Sequence, residues 1–525
     1  MSLPAFVNEP FLDFRAEDER ALMREAVSQV RARLGLRYPL RIGGERVEKA
    51  EVFASSNPAR PDEVIGELAA ADAEDARRAV EAANRAYASW SRVSPFERAA
   101  LLLRAGDILR QRRREILAWL ALEVGKNFDQ GDGEVAEAID HFEWNARQLL
   151  AWDRGKEIQP IPSELNEYRY RPLGVGVVIS PWNFPTTLPL GMAVAAVAAG
   201  NTVVLKPAEA ASVLAHQLAD VLDEAGLPPG VVNLVTGTGA RVGDALVRDP
   251  RVRFVAFVGS RAVGTAIYTT AAALSPGQQH LKRVMTEMGG KNATIVTPAA
   301  DFDWAVAEVV RSALGYQGQK CSATSRVILV GDIHDRFVEA MQAQMERTAA
   351  DRGPACDNHA FGPLISAAAL HKVETYGARA ASLGRVVLTG TSDRSLGHFI
   401  TPTLVDNVEP DAPIAQDEIF GPFVSVLRAP DLPTAVDIAN GVEYALTGAA
   451  FTQDPGELDY VREHVYVGNL YLNRSSTGAM AGVHPFGGYK LSGTGPKVGS
   501  PDYLGFYLEA QAITQKVRYP RQGHG

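Results

Sequence analysis

The chain has 525 residues, of which 46% are hydrophobic and 22% charged, and its formal net charge is −9. This length accommodates about three domains with cores of ordinary size, and the composition is typical of a globular protein. The negative charge argues against a nucleic-acid scaffold, and the basic run at 110–114 fits the solvated face of a helix better.

The first third of the chain is predominantly helical. After an N-terminal extension (1–36) with one helix at 17–34, a β-rich stretch at 39–53 predicts a hairpin. Two or three helices are predicted between residues 72 and 122, one of them starting at Ser94 and Pro95, which suits a capped first turn. A further helix follows at 134–152, and the polar, proline-containing stretch 153–172 predicts an exposed hairpin.

Four short apolar runs then alternate with helical stretches. Strands buried on both faces that alternate with helices predict βαβ units and a parallel sheet. Ligands bind beyond the carboxyl ends of such strands. The runs lie at 174–179, 202–205, 231–235 and 252–258, the helices at 188–199, 212–225 and 240–247, and the strand-end loops are SPWNFP (180–185), KPAE (206–209), TGTG (236–239) and GSRAVG (259–264).

A second α/β block is predicted from residue 292 onward. The C-terminal stretch 503–518 has strand character, and we expect it to pair with another segment or with another subunit. The sequence contains neither an internal repeat nor a low-complexity tract. The strands of this block are expected near 326–330, 385–388, 399–404, 424–427 and 467–472.

Cys321 lies at a junction between two predicted elements. Apolar residues at helical spacing predict a helix over 304–314, and the β-branched run at 326–330 predicts a strand. The glycine-punctuated segment between them, GYQGQKCSATSR (315–326), lets backbone approach a ligand closely. An isolated cysteine is more often an inert small hydrophobe than a nucleophile. Its function therefore depends on its companions elsewhere in the chain.

The cysteine count and the N-terminus bear on the compartment. Cys321 and Cys356 are the two cysteines, so a disulfide framework is excluded and a reducing compartment is expected. Cys356, which no base accompanies, is expected to be structural or at the surface. No apolar run reaches the roughly 18 residues of a membrane span, and residues 1–20 lack the pattern of a secretory signal. We expect a cytoplasmic protein.

Together, the strand-end loops contain the residue types of a nucleotide-binding site. Lys206 can hold a phosphate or a ribose hydroxyl, and Glu209 can accept two hydrogen bonds from an adenosine ribose. A carboxylate there disfavours a 2′-phosphate, which favours NAD over NADP. Gly259, Ser260 and Gly264 let a helix N-terminus approach the pyrophosphate. The GxGxxG fingerprint is absent, and singly each loop is a weak signal, because a surface ion pair or an ordinary turn explains it equally well.

Four separate features occur in a specific order. They are Asn183 in SPWNFP, Glu287 in TEMGGKN, Cys321 in GQKCSA, and Glu418 with Phe420 in EIFGP. In this combination the chain resembles the NAD(P)-dependent aldehyde dehydrogenase superfamily over about residues 37–515. The strand-end loops described above belong to the same match, as do the motifs FGPLIS, PTLVDNV and PFGGYKLSG. Joint occurrence in the right order makes the resemblance highly specific.

The resemblance implies an α/β fold in three parts. A parallel-sheet dinucleotide-binding domain would comprise 37–152 and 173–286, and an α/β catalytic domain 287–484. A small β oligomerisation arm would combine 153–172 with 503–520. A homo-oligomer, either a dimer or dimers gathered into a hexamer, is expected. No metal is expected.

The resemblance also implies the roles of the site residues. The Cys321 thiolate would add to the aldehyde carbon, and the Asn183 amide with the Cys321 N–H would stabilise the oxyanion. After hydride transfer to NAD, Glu287 would act as general base for hydrolysis of the thioester. Glu418 would hold the nicotinamide ribose, with Phe420 beside the ring. The expected cofactor-binding residues are Ser180, Pro181, Trp182, Lys206, Ala208, Glu209, Gly237, Gly243, Gly259, Ser260, Val263, Glu418 and Phe420.

The segment 473–504 bears on the substrate. Its TGAMAG and GPKVGSPDYL stretches are similar to those of L-glutamate γ-semialdehyde dehydrogenases, also called 1-pyrroline-5-carboxylate dehydrogenases. The expected reaction is oxidation of L-glutamate γ-semialdehyde to L-glutamate, the second step of proline catabolism. Backbone N–H groups would bind the α-carboxylate and phenylalanines would flank the aliphatic middle. The expected substrate-binding residues are Glu137, Phe184, Ser322, Gly478, Ala479 and Phe486.

Rival functions stay open at this point. Another semialdehyde dehydrogenase, such as one for succinate semialdehyde, would share the catalytic residues. A CoA-acylating relative is disfavoured by Glu287, and a catalytically silent protein on this fold is disfavoured by the intact Asn183, Glu287 and Cys321. Departures from the family pattern at His484, Tyr489 and the methionine after Glu287 remove no catalytic group. With about 35 residues before the match, a stand-alone enzyme is expected rather than one fused to a proline-oxidising barrel.

Overall fold

The structure is a computed structural model that describes residues 3–517. In the first half of the chain, one helix and five strands are followed by four helices, and from there on strands alternate with helices. The helices are α1 (Glu17–Arg31), α2 (Ala73–Trp90), α3 (Pro95–Gln111), α4 (Arg113–Glu123), α5 (Phe128–Trp152), α6 (Thr187–Ala198), α7 (Ser212–Glu224), α8 (Asp244–Arg248) and α9 (Arg261–Ala272). The strands are β1 (Leu36–Tyr38), β2 (Leu40–Ile42), β3 (Glu45–Val47), β4 (Val52–Asn57), β5 (Arg60–Ala69), β6 (Glu164–Pro172), β7 (Val175–Ile179), β8 (Thr202–Lys206), β9 (Val232–Leu234), β10 (Val252–Val258) and β11 (Arg283–Glu287).

The second half repeats the α/β alternation. Its helices are α10 (Phe302–Leu314), α11 (His334–Ala350), α12 (Ala367–Arg379), α13 (Pro413–Gln416), α14 (Leu432–Asn440) and α15 (Pro455–His464). Its strands are β12 (Asn292–Val296), β13 (Thr324–Val330), β14 (Arg385–Leu388), β15 (Ser392–Asp393), β16 (Phe399–Ile400), β17 (Thr403–Asp406), β18 (Phe423–Ala429), β19 (Tyr444–Ala445), β20 (Thr447–Phe451), β21 (Asn469–Leu472), β22 (Tyr489–Lys490), β23 (Gly493–Thr494) and β24 (Leu508–Lys516).

The first large sheet confirms the predicted βαβ organisation. Its order is β23-β11-β10-β7-β8-β9-β2-β3, and the five strands from β11 to β9 are parallel. The predicted hairpin at 39–53 is confirmed as β2 and β3, which pair antiparallel at one edge. Gly176 in β7 lies opposite Phe254 in β10, and a Cβ on Gly176 would overlap the Phe254 ring. Glycine is therefore required where this ring crosses the neighbouring strand.

The second large sheet has the order β14-β17-β18-β13-β12-β20-β21. All neighbours are parallel except β14, which pairs antiparallel with β17. Two apolar clusters cover its two faces, one built on α12 and α14 and the other on α10 and α11. This arrangement is the doubly covered parallel sheet that continuous apolar strands require.

The two sheets meet where the chain passes from one to the other. β11 ends at Glu287 in the first sheet and β12 begins at Asn292 in the second. The carboxyl ends of the first sheet therefore face the amino ends of the second. Cys321, just before β13, lies at this boundary. No helix within residues 3–517 is long and apolar enough to cross a membrane.

Two local predictions are wrong, and one is narrowed to one of its alternatives. Residues 153–172 do not form a hairpin: their one strand, β6, pairs antiparallel along its whole length with β24. The strand predicted at 399–404 is divided into β16 and β17, which belong to different sheets because Thr401 and Pro402 interrupt the ladder. For Cys356, predicted as structural or at the surface, the structure supports the structural alternative, because the residue is 5% exposed and Arg31 donates to its sulfur at 3.4 Å. The predicted C-terminal arm runs to residue 520, past the end of the described residues.

Candidate active site

Cys321 lies in a turn between α10 and β13. A 3₁₀ turn over Gly315–Gly318 precedes it, in which Tyr316 and Gln317 have φ of 52° and 54°. Non-glycine residues adopt this left-handed conformation at a cost of about 1–2 kcal/mol each. The strained turn leads the chain from the end of α10 to the amino edge of the second sheet. The cysteine residue stays partly exposed there.

Asn292, the first residue of β12, fixes the backbone around the cysteine. Its Nδ2 donates to the carbonyl oxygens of Cys321 (2.6 Å) and Ala323 (2.9 Å), and its Oδ1 accepts from the N–H of Thr447 (3.0 Å). The side chain is buried and satisfies three backbone groups at once. Sequence reasoning missed this residue, although Asn292 closes the motif TEMGGKN that drew attention to Glu287.

Glu287 is the last residue of β11, and its carboxylate lies against the Cys321 thiol. The residue is 6% exposed, and neither carboxylate oxygen has a hydrogen bond of regular geometry within residues 3–517. Burial raises the pKa of Glu287 to about 7; the thiol opposes this shift and Glu418 adds to it. At neutral pH the group is therefore divided between acid and carboxylate, which is the state that proton exchange requires.

The Cys321 thiol is protonated in these surroundings. Desolvation raises its pKa well above the ordinary value, the Glu287 carboxylate raises it further, and the N–H of Ser322 lowers it. A thiol in contact with a carboxylate can pass its proton to that group as it attacks an electrophile. The pair is thus arranged for nucleophilic attack by sulfur followed by proton transfer at the same carboxylate.

Asn183 approaches the cysteine from the first sheet. It lies in the loop between β7 and α6, is 4% exposed, and its Nδ2 donates to the carbonyl of Gln319 at 3.1 Å. Gln319 precedes Cys321 by two residues. An amide nitrogen carries two donors, and this contact uses one. The other makes no hydrogen bond within residues 3–517 and can serve a ligand at the cysteine turn.

The loops after β7 and β8 supply polar atoms for a dinucleotide. Lys206 is 4% exposed, and its Nζ donates to the carbonyl of Pro207 at 3.1 Å rather than pairing with the exposed Glu209. Burial lowers the pKa of Lys206, and Glu209 opposes this effect. An ammonium has three donors. The Ser180 hydroxyl is also buried without a partner among the described residues. These unused polar atoms fit the ribose hydroxyls or phosphates of NAD.

The N-terminus of α9 lies at the same edge of the sheet. Ser260 caps the helix by accepting from the N–H of Val263 at 3.4 Å, and Val263 is 49% exposed. A Cβ on Gly264 would be 2.5 Å from the sulfur of Met288, so this glycine permits close helix packing. The uncovered valine and the positive end of the helix dipole fit an adenine and a phosphate, respectively.

The other predicted cofactor residues of the first sheet differ in their surroundings. Pro181 and Trp182 follow β7 and are partly exposed, as is Ala208 after β8. Gly237 has φ of +145° and packs against Val242, and Gly243 closes a π-helical turn before α8; both are buried. For Gly237 the structure itself provides a packing reason, whereas a Cβ on Gly243 would have no atom within 4 Å.

Glu418 and Phe420 come from the second half of the chain. Glu418 accepts from the N–H of Gly290 at 2.9 Å, and a Cβ on Gly289 would overlap its carboxylate. Phe420 has φ of 64°, and its ring meets that of Trp182 edge to face at 5.6 Å. The structure thus brings a residue from each half together beside the cysteine turn.

The predicted substrate loop around Gly478 is held by Arg474. This arginine donates through Nη2 to the carbonyls of Thr477 and Gly478, both at 3.0 Å, and through Nη1 it bonds the Nε2 of His484 at 2.9 Å. Gly478 has φ of +80°. The N–H groups of Gly478 and Ala479 donate to no other group within residues 3–517, so both can bind an anion. Sequence reasoning missed Arg474.

The remaining predicted substrate residues come from several separate segments of the chain. Ser322 is buried, and its carbonyl accepts from the Ser476 hydroxyl at 2.8 Å, which ties the turn to the substrate loop. Burial raises the pKa of Glu137 to about 8, and Glu134 and Asp140 add to the shift. Glu137 is therefore mainly protonated at neutral pH. Phe184 follows Asn183 directly, and Phe486 forms an isolated antiparallel bridge with Val498.

Comparisons with known proteins agree with this geometry. The model of the aldehyde dehydrogenase family matches residues 46–513. 1-Pyrroline-5-carboxylate dehydrogenase 1 of Halalkalibacterium halodurans is 44% identical over 513 residues, which cover 98% of this chain and 99% of the relative. The Geobacillus thermodenitrificans 1-pyrroline-5-carboxylate dehydrogenase is 46% identical over 510 residues, covering 97% and 99%. The crystal structure of the Thermus 1-pyrroline-5-carboxylate dehydrogenase with bound NAD is similar at a TM-score of 0.96 and 45% identity, over 98% of this chain and 100% of that one.

Proposed function

Because the chain belongs to the aldehyde dehydrogenase family, we propose that it oxidises L-glutamate γ-semialdehyde to L-glutamate with NAD as hydride acceptor. The substrate is in equilibrium with 1-pyrroline-5-carboxylate, and the reaction is the second oxidative step of proline catabolism. The observation that carries this proposal is the 44% and 46% identity, over nearly the full length of both chains, to proteins named 1-pyrroline-5-carboxylate dehydrogenase.

The first chemical step is assigned to Cys321. Its sulfur forms a bond to the aldehyde carbon while its proton passes to Glu287, and the carbonyl oxygen becomes an oxyanion. The free N–H of the Asn183 amide and the N–H of Cys321 are the donors for this oxyanion. A single donor of this kind is worth about 3–4 kcal/mol in related acyl-transfer sites.

The second step releases the acid. NAD, when bound, supplies the acceptor for the hydride that leaves the former aldehyde carbon. Glu287 first releases the proton of Cys321 to solvent and then takes a proton from water, whose oxygen attacks the thioester carbon on Cys321. The carbon–sulfur bond breaks with the sulfur leaving as thiolate, which regains its proton from Glu287. One aldehyde, one NAD⁺ and one water give one carboxylate, one NADH and two protons.

Recognition of the amino-acid end is assigned to the loop that Arg474 holds. The N–H groups of Gly478 and Ala479, with the Ser322 hydroxyl, would bind the α-carboxylate. Phe184 and Phe486 would flank the methylene groups. The protonated Glu137 would contribute a hydrogen bond at this end of the site. A substrate without the α-carboxylate leaves these donors unused.

The dinucleotide would bind across the carboxyl edge of the first sheet. Lys206 and Glu209 would hold the adenosine ribose, and the α9 N-terminus the pyrophosphate. Glu418 and Phe420 would hold the nicotinamide end. The exposed carboxylate of Glu209 repels a 2′-phosphate. The remaining predicted cofactor residues (Ser180, Pro181, Trp182, Ala208, Gly237, Gly243) would line the same edge.

The predicted domains and assembly belong to the proposal as well. We assign 37–152 with 173–286 to dinucleotide binding and 287–484 to catalysis. β6 and β24 form a two-stranded ribbon of nine paired residues on each strand. Such a ribbon is marginally stable alone and has two open edges, which favours packing against another subunit in a dimer or hexamer. The cytoplasm, as the reducing compartment that two unpaired cysteines suit, stays a prediction.

The test compares aldehydes on the wild type and on Cys321→Ala. NADH formation is followed with L-glutamate γ-semialdehyde, succinate semialdehyde and glutarate semialdehyde. We expect kcat/KM to favour the amino-acid aldehyde by about 10-fold or more, roughly 1.4 kcal/mol, and Cys321→Ala to be inactive. Equal turnover of the three aldehydes would refute the substrate assignment and leave another semialdehyde dehydrogenase. Activity of Cys321→Ala would refute the mechanism.

Two further assays address CoA acylation and a catalytically silent fold. Analysis of the product with CoA present distinguishes hydrolysis from CoA acylation, and glutamate as the product is expected. Failure of a thiol-reactive aldehyde analogue to label Cys321 would indicate a catalytically silent protein on this fold.

A further inference from the structure

A fully buried ion pair lies behind the Asn183 loop and belongs to none of the predicted site residues. It joins Lys126, just after α4, to Glu134 in α5, with Nζ and Oε2 2.5 Å apart. Lys126 is 1% exposed and Glu134 2% exposed. The effective penalty for burying each ion is several kcal/mol. Such a pair needs a reason other than stability.

Both charges bind the backbone of the loop between β7 and α6. Lys126 Nζ donates to the carbonyl of Asn183 at 2.6 Å. Glu134 Oε1 accepts from the N–H groups of Thr186 (2.6 Å) and Thr187 (3.3 Å). Thr186 is the N-cap of α6 and provides no side-chain cap of its own. The carboxylate of Glu134 therefore caps α6 from a neighbouring helix.

The pair also fixes the side chains that the loop presents. Lys126 Nζ lies 3.9 Å from the centroid of the Phe184 ring and 4.7 Å from that of Tyr316. Asn183 itself reaches Gln319 on the cysteine side with its amide. The loop is thus bound at its first residue by the cation and at its last residues by the anion. The amide that reaches the cysteine turn is that of Asn183, the first residue of this bound segment.

We propose that Lys126 and Glu134 are positioning residues for aldehyde oxidation. They fix the 183–187 loop so that the Asn183 amide meets the carbonyl oxygen of the aldehyde bound at Cys321. This inference rests on the proposed oxidation of an aldehyde but not on the identity of the amino-acid substrate. A displacement of about 1 Å at such a donor costs on the order of 100-fold in rate.

The primary test replaces each partner and measures NADH formation from propanal, which lacks the α-carboxylate. Lys126→Met and Glu134→Gln are expected to lower kcat about 100-fold while the KM for NAD changes less than about twofold. A loss smaller than about threefold in both variants would overturn the inference. Wild type that oxidises propanal but not L-glutamate γ-semialdehyde would refute the substrate proposal alone. Wild type that oxidises neither would overturn both.

A double-mutant cycle tests whether the pair acts through Asn183. In an Asn183→Ala background, Lys126→Met should cost less than about threefold, because the amide that it positions is already absent. The same 100-fold loss in both backgrounds would show that Lys126 acts by another route, and would overturn the inference.

Two controls separate positioning from stability. Replacing both charges, in Lys126→Met/Glu134→Met, removes the buried ions together and should recover most of the Tm lost in the single variants. Its kcat should stay low, because the loop backbone still lacks its partners. Recovery of kcat together with Tm would overturn the inference. The matched control is Asp132→Asn, in the buried pair that joins Arg113 at the start of α4 to Asp132 in α5 (2.6 Å). Asp132 accepts from the N–H of Leu12 and not from the 183–187 loop. The Asp132→Asn variant should therefore have a lower Tm but a kcat within about threefold of the wild type.

Discussion

The replacement of Glu287 by glutamine separates the two roles assigned to this carboxylate, in stability and in hydrolysis. Burial raises the pKa of Glu287 to about 7 from the ordinary 4.5. Each pKa unit corresponds to about 1.4 kcal/mol, so ionising the group in the folded protein costs roughly 3 kcal/mol more than in the unfolded chain. Glutamine is uncharged at every pH and is free of this cost.

The sign follows from proton binding. Between about pH 4.5 and pH 7 the folded protein keeps a proton on Glu287 that the unfolded chain has lost. Stability therefore falls as pH rises through this window, because the folded state binds more protons there. Glu287→Gln lacks this contribution. Its stability relative to the wild type should increase by about 2–3 kcal/mol between about pH 5 and about pH 8.

The kinetic expectation is an accumulated thioester. Glu287→Gln should form the thioester slowly, because the Cys321 thiol has lost its proton acceptor, and should hydrolyse it more slowly still, so that a slow burst of NADH approaches the concentration of active sites. The steady state that follows should be at least about 100-fold slower than the wild-type rate. In the wild type, the deprotonated fraction of Glu287 rises from about one tenth at pH 6 to about nine tenths at pH 8, so hydrolysis should accelerate up to about 10-fold over that range.

The assay combines rapid-mixing NADH absorbance with Tm measured in a series of buffers. Glu137→Gln is the matched control. The pKa of this carboxyl is also raised, to about 8, but Glu137 has no part in thioester hydrolysis in the proposed mechanism. The Tm of Glu137→Gln relative to the wild type should change with pH in the same direction as that of Glu287→Gln. With propanal as substrate, Glu137→Gln should show no burst of NADH. A Glu287→Gln enzyme within about threefold of the wild-type rate, or a Tm difference from wild type that is constant with pH, would refute the reasoning.

Three further predictions concern the rest of the molecule. Glu209→Ser should lower the ratio of kcat/KM with NAD to kcat/KM with NADP by about 10-fold, since a carboxylate no longer repels the 2′-phosphate. An unchanged ratio in coenzyme titrations would show that Glu209 does not bind the adenosine ribose. Arg474→Met should raise the KM for L-glutamate γ-semialdehyde about 10-fold and leave propanal within about twofold, because the loop carbonyls lose their donor; equal effects on both aldehydes would contradict a role in anchoring. Removal of residues 508–525 takes β24 away from β6 and should lower the number of subunits per particle measured by light scattering. An unchanged number of subunits would place the subunit interface outside the ribbon.

The sequence was most informative where local pattern and burial agree. The strands β7, β8 and β10 are continuous apolar runs, and they lie inside a parallel sheet because only burial on both faces satisfies them. Ser94 and Pro95 begin α3 as predicted, with a capping box to Glu97. These features depend on neighbours within a few residues, so the chain alone is sufficient to predict them.

The strands that were missed have weak local patterns. β11 (Arg283–Glu287) ends in charged residues, β12 begins with an asparagine, and β20 (Thr447–Phe451) is mostly glycine and alanine. Each is a strand because partners on both sides complete its hydrogen bonds. Likewise the stretch 153–172 reads as a hairpin because its true partner, β24, is more than 300 residues away. Propensity is a weak guide where pairing decides the conformation.

The site residues divide in the same way. Sequence motifs identified Cys321 and Glu287 as candidates, but no motif distinguishes Lys126 from an ordinary polar residue after a helix. Its role depends on a carbonyl 57 positions later in the chain. A buried charge is visible as such only when the elements around it are assembled, because solvent exposure is a property of the fold.

The geometry predicts which catalytic contact is the more sensitive to disturbance. Glu287 and Asn292 lie at the two ends of the short link between the sheets, and Asn292 holds the carbonyl of Cys321 at 2.6 Å. The base and the nucleophile are thus fixed to one segment. Asn183 belongs to the first sheet and reaches the cysteine turn through a hydrogen bond of 3.1 Å to Gln319. A small shift of the 183–187 segment therefore alters the distance from the Asn183 amide to the cysteine turn without moving Glu287 at the end of β11. Attack on the aldehyde should lose rate before hydrolysis does, and the Lys126–Glu134 pair lies where it opposes that loss.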